Sequence, residues 1–266
     1  MVKSLSDVAV LIAVHNSQKT LDRCFESLTA QTYKNFTVIC VNDASTDATT
    51  GALEKWQKKL GSRLKVITNP QNIGLTKSLN LGLKAITARF TARIDGDDWW
   101  HPDKLALQLD FLKTHPDYQV IGCNYVNIGA TGQQEIITNE TDAAIRQNFL
   151  KRNQLAHSCV VFDTKFVKKL GGYDENVRYG QDYDLWLRCL PKTKFYNLQQ
   201  TLCYRHVGSG ISVEKQREQM LQGIKIQTKY IRTHSLPLSN YLYTLELWAI
   251  VLMPEPIKKL KRRLFR

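Results

Sequence analysis

The sequence predicts an α/β protein with a mostly parallel sheet flanked by helices, and three observations carry that prediction. Val8 to Val14 and Phe36 to Val41 are unbroken apolar runs without alternation, the pattern of strands buried on both faces. Apolar runs and helical spacings alternate four times, at about 25 to 30 residues per unit, as right-handed βαβ crossovers require. His15/Asn16, Asn42/Asp43, Asn72 and Asp95/Asp97 all fall at strand ends or in the loops just beyond. Parallel sheets bind ligands beyond those carboxyl ends.

The elements follow in order. His15-Asn16-Ser17 ends the first strand, and Leu21, Cys24, Phe25 and Leu28 then recur at helical spacing through Gln31. The second strand runs into Asn42-Asp43-Ala44-Ser45-Thr46-Asp47, after which Leu53, Trp56 and Leu60 mark a helix. Leu64 to Ile67 is a short third strand, Asn69 to Gly74 a turn, and Leu75, Leu79, Leu83 and Ile86 a third helix. Phe90 to Ile94 is the fourth strand. Pro102 opens a helix carrying Leu105, Leu109 and Leu112 that ends near His115-Pro116. There the regular alternation stops. Tyr118 to Tyr125 reads as a strand, Val126 to Ile137 as a hairpin turning at Gly129 and Gly132, and Thr141 to Arg152 as a helix. Ser158 to Phe162 reads as extended, Thr164 to Leu170 as helical, and Tyr179 to Arg188 as a second acidic helix start. Two short strands, Lys194 to Asn197 and Leu202 to Arg205, precede a long helix from Val213 to Arg232.

Composition narrows the function classes. A chain of 266 residues, 43% apolar and 23% charged, can bury a sizeable core. Lys and Arg outnumber Asp and Glu by 37 to 24, a net charge of +13 that favours phosphorylated substrates, anionic lipid or nucleic acid. The six cysteines (24, 40, 123, 159, 189, 203) show no C-x-x-C spacing, so reduced, buried thiols of a cytoplasmic protein are expected. Met1 to Asp7 shows no signal-peptide pattern, and no apolar stretch reaches the roughly 18 residues of a membrane span. Neither a dinucleotide-binding glycine fingerprint after the first strand nor a P-loop occurs, which disfavours oxidoreductases and NTPases of those types.

Ala92-Arg93-Ile94-Asp95-Gly96-Asp97-Asp98-Trp99-Trp100 delivers three carboxylates in four residues at a strand end. Like charges so placed call for a cation or hydrogen-bond donors. Hard oxygen ligands suit Mn²⁺ or Mg²⁺, which in turn suit a diphosphate. The competing reading is an acidic turn capping the helix at Pro102.

Together with Val41-Asn42-Asp43-Ala44-Ser45, Asn72-Ile73-Gly74-Leu75, Gly171-Gly172-Tyr173-Asp174, Gln181-Asp182-Tyr183-Asp184-Leu185-Trp186 and Tyr204-Arg205-His206, these pieces resemble the family 2 glycosyltransferases of the Rossmann-like GT-A fold. The resemblance runs from Val8 to Ser212 and looks most like bacterial enzymes that build lipopolysaccharide, lipooligosaccharide or capsule oligosaccharides. It implies an inverting transfer of one sugar from a UDP-sugar to an oligosaccharide or lipid-linked glycan acceptor, without a covalent enzyme intermediate. It implies a catalytic domain over 1–212, with 1–115 holding the nucleotide-sugar and 116–212 the acceptor, followed by C-terminal helices over 213–266. The implied nucleotide-sugar residues are His15, Asn16, Asp43, Asn72, Lys77, Asp95 and Gly96. Asp43 would accept from the uracil ring, His15 would stack beside it, and Lys77 would reach the diphosphate as a point charge. Helix capping by Asp43 and a solvated helix face at Lys77 are the competing structural readings. Asp97 is the expected direct ligand of Mn²⁺ or Mg²⁺; the resemblance puts Asp95 near the ribose, holding the ion through water, and makes His206 a second ligand or diphosphate contact, against the competing reading of a structural histidine. Asp182 is the implied general base, although Gln181 replaces the usual Glu before it; its competing reading is again an N-cap. Trp99, Trp100 and Trp186 are candidate walls for sugar rings or plain packing.

Tyr241 to Met253 is rich in Leu, Tyr and Trp, and Ile257 to Arg266 carries six basic residues. Apolar and basic positions interleave there as in a helix lying on an anionic bilayer. A cytoplasmic protein peripheral to the inner face of the bacterial cytoplasmic membrane is therefore expected. Two rivals are a sugar-nucleotide pyrophosphorylase, whose Gly-rich basic loop is missing after the first strand, and a basic nucleic-acid-binding protein, for which no motif is visible.

Overall fold

A computed structural model describes residues 6–130, 132–208 and 216–253. The first apolar runs form β1 (Val8–Val14), β2 (Phe36–Asn42), β3 (Leu64–Thr68) and β4 (Phe90–Arg93), all parallel, in the order β3-β2-β1-β4. Helices α1 (Leu21–Thr29), α2 (Thr49–Leu60) and α3 (Leu75–Ala85) connect them. Val8, Val10, Ile12 and Val14 join one core cluster with Leu21, Phe25 and Leu28 of α1 and Leu53 and Trp56 of α2. Ala9, Leu11 and Ala13 join the other, with Leu79 and Leu83 of α3. Strand side chains alternate between faces, so a sheet covered on both sides demands unbroken apolar runs.

After β4 come β5 (Trp99–Trp100), α4 (Lys104–Thr114), β6 (Tyr118–Gly129), β7 (Gly132–Ile136), α5 (Asp142–Asn148), β8 (Val161–Asp163), α6 (Thr164–Lys169), α7 (Gln181–Cys189) and β9 (Lys194–His206). The sheet continues from β4 as β8-β6-β9-β5, with β7 hydrogen-bonded to β6. β8 runs antiparallel to β4 and β6, β9 parallel to β6, and β5 antiparallel to β9. The sheet is thus parallel in its first half and mixed over the nine strands among the described residues. Helices α8 (Gln216–Thr233) and α9 (Tyr241–Leu252) follow, and Ile226 and Ile231 of α8 belong to the second core cluster.

Several expectations are corrected. Lys194 to His206 is one strand, not two: Cys123 pairs with Leu198 and Asn124 with Thr201, so Gln199 and Gln200 form an exposed bulge that carries the strand through its polar middle. The helix expected over Thr141 to Arg152 spans only Asp142–Asn148, capped by the Thr141 hydroxyl accepting from the Ala144 amide. His157–Cys159 is a single 3-10 turn before β8, where an extended segment was expected. The two-residue β5 is too short to carry a period. The expected start of the long helix at Val213 and the basic stretch 257–266 lie outside the described residues. All six cysteines are free and buried, as composition predicts.

Candidate functional site

The loops beyond the carboxyl ends of β1, β2 and β3 are laced together. Asn16 adopts φ +52°, and its side-chain oxygen accepts from the Thr46 amide at 2.8 Å. His15 Nδ1 lies 2.8 Å from the Asp43 carbonyl, which fixes its ring at the rim. Asp43 caps no helix through its own strand-end turn; the N-cap position of α2 is Ala48. Instead its buried carboxylate accepts from the Asn69 side chain (2.7 Å) and from the Ile73 and Gly74 amides (2.9 and 2.8 Å). It therefore shapes the loop that opens α3, where Gly74 at φ +89° allows a backbone that a side chain would strain. A carboxylate offers about four acceptor positions, so three donors leave room for one more. Asn72 and Lys77 are exposed around the same helix start.

The second group is the acidic turn after β4, closed by the Asp98 amide donating to the Asp95 carbonyl. Arg93, fully buried, donates to the Asp95 carboxylate, and Ser158 holds it twice: its hydroxyl donates to Oδ2 at 2.9 Å and accepts from the Asp95 amide at 3.0 Å. Burial opposes ionisation of Asp95, but the Arg93 charge and the hydrogen bonds from Arg93 and Ser158, with His157, together outweigh it and hold the carboxyl well below the ordinary range. Asp97 is pushed the other way, by burial first and then by the Asp95 charge, with His206 pulling it partly back. Asp98 points inward and accepts from the His206 backbone amide at 2.8 Å. Burial and its two acidic neighbours push it up to about 7. Asp98 thus pins the end of β9, at the His206 backbone, to the acidic turn across more than a hundred residues of sequence. Gly96 is needed for closeness: a Cβ there would stand 2.7 Å from Val14 Cγ1.

Among the described residues, no group of three or more His, Cys, Asp or Glu is disposed to enclose a metal by itself. The donor chemistry still fits a hard divalent ion held jointly with a diphosphate, because Mg²⁺-like ions take few protein ligands and draw the rest from phosphate and water. Repulsion between Asp95 and Asp97 is a strain that such an ion would relieve.

The third group comes from α7. Gly180 at φ +71° is its N-cap residue, so Asp182, in the first turn, is not a cap. Its Oδ2 accepts from the Asn153 side chain at 2.8 Å. Burial pushes its carboxyl up; Arg205 opposes this and the Asp95 charge adds to it. Asp182 therefore shares one electrostatic neighbourhood with the acidic turn. The Arg205 charge acts on both Asp98 and Asp182, and its guanidinium lies 5.1 Å from the Tyr125 ring centre.

Four further residues surround the candidate site: Arg93 and Arg205 lie inside the resembling motifs without a role assigned there, and Ser158 and Asn153 lie outside them. Arg93 has a sequence signal, a cation inside an apolar strand; Ser158 and Asn153 have none. Arg93 Nε and Nη1 and Arg205 Nε are buried with no hydrogen-bond partner among the described residues. Two of the candidate sugar walls are corrected. Trp186 is fully buried and Trp100 is 2% exposed, its indole donating to the Ser158 carbonyl at 2.8 Å, so both pack the core. Trp99 alone is half-exposed, stacked on Tyr204 with Arg23 above it.

With this geometry in hand, known proteins are informative. The model of the family described as glycosyl transferase family 2 matches residues 9–169. The chain belongs to that family. This glycosyltransferase is 30% identical to the putative glycosyltransferase EpsE of Bacillus subtilis, over 94% of this chain and 91% of EpsE. It is 30% identical to the amylovoran biosynthesis glycosyltransferase AmsE of Erwinia amylovora, over 68% and 69%. It is 29% identical to the UDP-Glc:alpha-D-GlcNAc-diphosphoundecaprenol beta-1,3-glucosyltransferase WfaP of Escherichia coli, over 90% and 92%. Its relatives thus include enzymes of polysaccharide biosynthesis. In fold it matches S. aureus TarS 1-349, solved with UDP-GlcNAc, at TM-score 0.71 and 20% identity, spanning 85% of this chain but only 66% of that one. It matches the mannosyltransferase PcManGT of Pyrobaculum calidifontis, solved with GDP-Man and Mn²⁺, at TM-score 0.70 and 16% identity, over 97% and 79%. The architecture is the GT-A fold.

Proposed function

We propose that this glycosyltransferase moves one sugar from a UDP-sugar to a hydroxyl of a glycan, free or lipid-linked, with inversion, in bacterial lipopolysaccharide, lipooligosaccharide or capsule synthesis. The observation that carries the proposal is the acidic turn beyond β4, with Asp95 held by Arg93 and Ser158 and Asp98 bonded to the end of β9, and the charges of Arg205 and Asp182 act on that turn. UDP and UDP-GlcNAc in the TarS structures, and the UDP-Glc donor in the WfaP name, support the nucleotide.

The chemistry follows from the residues. The Asp182 carboxylate takes the proton of the acceptor hydroxyl as that oxygen bonds to the anomeric carbon. The bond from that carbon to the diphosphate breaks, and its electron pair leaves with UDP. Burial raises the basicity of the Asp182 carboxylate and the Arg205 charge opposes part of that rise, the direction a general base needs. Asp97, helped by His206 and by Asp95 through water, would hold Mn²⁺ or Mg²⁺, whose positive charge stabilises the leaving diphosphate. Arg93 and Ser158 hold Asp95 ionised and oriented. His15, Asn16, Asp43, Asn72, Lys77 and Gly96 form the nucleotide side, within a 1–115 half, and 116–212 forms the acceptor side. The 213–266 segment is the part we assign to the inner face of the cytoplasmic membrane, drawn there by its basic stretch. Among the described residues no helix is long and apolar enough to cross a membrane.

The test measures UDP release from a panel of UDP-sugars with Mn²⁺ and a glycan acceptor, for wild type and Asp97→Ala. Turnover with one donor and a loss of about a hundredfold or more in the variant is expected. No turnover with any UDP-sugar, or full activity of Asp97→Ala, would sink the reading.

A further inference from the structure

Five large apolar side chains stand exposed within fifteen residues near the end of the described chain: Leu238 (83%), Leu242 (59%), Leu245 (58%), Trp248 (41%) and Leu252 (71%). The last four lie on α9 at spacings of three, three and four, which places them within roughly 120° of helix circumference. The remaining circumference of α9 is turned to the fold: Thr244 and Val251 are buried, and Tyr243 packs on the second core cluster. One face is therefore spent on the fold and the other presents an apolar stripe outward. Soluble surfaces seldom leave so contiguous a patch without a use.

We infer that this stripe is a membrane-insertion face that seats the enzyme on an anionic bilayer. The inference rests on the proposed membrane-side role of 213–266 and assigns the contact to residues of α9 rather than to the basic stretch alone. Length excludes spanning: twelve residues extend about 18 Å, against about 30 Å of hydrocarbon. The helix can only lie along the surface. Charge chooses the occupant. The thirteen residues after Met253 carry six basic side chains (258, 259, 261, 262, 263 and 266) and one acidic, Glu255. Two copies meeting through α9 would bring those like charges together, whereas anionic headgroups attract them. Glu246, exposed at the margin of the stripe, stays at headgroup level.

The seat is coupled to the acceptor side. α9 packs on α8, α8 packs on α7, and Gln227 of α8 donates to the Leu150 carbonyl at 2.8 Å, three residues before Asn153. α7 carries Asp182. A lipid-linked acceptor held at the same bilayer would thus present its hydroxyl to a base fixed relative to that surface.

The experiment measures co-sedimentation of the full chain with phosphatidylcholine vesicles, with and without about one-third phosphatidylglycerol, in the absence of any nucleotide. We expect binding only to the anionic vesicles, with Trp248 fluorescence quenched by lipids brominated in their acyl chains and that quenching lost in Trp248→Phe. The combined variant Leu242→Gln, Leu245→Gln, Trp248→Gln and Leu252→Gln is expected to lower vesicle affinity at least about tenfold. Its circular dichroism and its UDP release with a soluble acceptor should match wild type, since all four side chains are exposed. Undiminished sedimentation of that variant overturns the inference. So does a lipid-free dimer, seen by ultracentrifugation, that the same variant dissolves, because the stripe would then belong to a second copy. Vesicle binding needs no catalysis, so a failed UDP-sugar panel leaves this test standing, and the reverse also holds.

Discussion

The two halves of the sheet are held in different ways. From β1 to β4, burial of alternating side chains on two faces does most of the work, and the loops at the strand ends carry the polar contacts. From β6 to β9 the strands bury Val120, Phe162 and Phe195 in one cluster and Ile121, Cys123 and Cys203 in the other, and polar side chains add ties between segments far apart in sequence. Asn197 donates to the Asn139 and Gln154 carbonyls, Asn124 accepts from the Thr138 amide, and Arg146 donates to the Leu190 and Thr193 carbonyls. A half built on periodic burial is rigid and general. A half that adds single polar ties to that burial can be re-cut contact by contact, and it is the half that carries Asp182. The acidic turn lies at the seam, tied to both by Arg93, Ser158 and Asp98.

The sharpest way to separate the halves is Asp182→Asn. We expect transfer to fall about 10²- to 10⁴-fold, with thermal stability equal to or above wild type. The Asp182 carboxyl has its folded-state pKa raised, so the native chain holds that proton longer than the unfolded chain. Stability from this group is present at low pH and is lost as pH rises from the ordinary value of 3.8 through the raised one. Asn153 can still donate to the amide oxygen of the variant. For the same reason, the acid limb of kcat/KM should lie above the ordinary carboxylate range, since the base works only ionised. A pH–rate profile flat down to that range would remove Asp182 as base.

Leu11→Ala attacks the first half alone. It removes a fully buried side chain from β1 and should cost about 2–5 kcal/mol in denaturant unfolding. A cost below about 1 kcal/mol would contradict the account of that half as one close-packed unit.

Arg93→Gln strikes the seam. It leaves Asp95 held by Ser158 alone, and because that carboxylate is a third exposed the loss should be about 2–3 kcal/mol, below a wholly buried pair. Divalent-ion dependence of UDP affinity, read by calorimetry, should change with it. Wild-type stability would show that the buried guanidinium holds nothing.

The smallest effect is expected from Asn197→Ala in the second half, about 1–2 kcal/mol from two lost hydrogen bonds and two carbonyls left without a donor. A global loss as large as that of Leu11→Ala would erase the contrast between the halves.

The amino-acid order alone determined the parallel first half, the strand-end location of the site and the residues of the acidic turn, because two-sided burial and strand-to-loop polarity leave a periodic trace in local sequence. It also carried enough motif order to point to the family. Tertiary structure decided the rest. The joining of His206 to the turn through Asp98, the grip of Ser158 on Asp95 and the withdrawal of Trp100 and Trp186 into the core all depend on contacts between distant segments. Such contacts occur once each, so they leave no period to read. The bulged β9 failed to show as one strand for a related reason: its polar middle is exposed where the pairing register slips, and local hydrophobicity reports only the two ends.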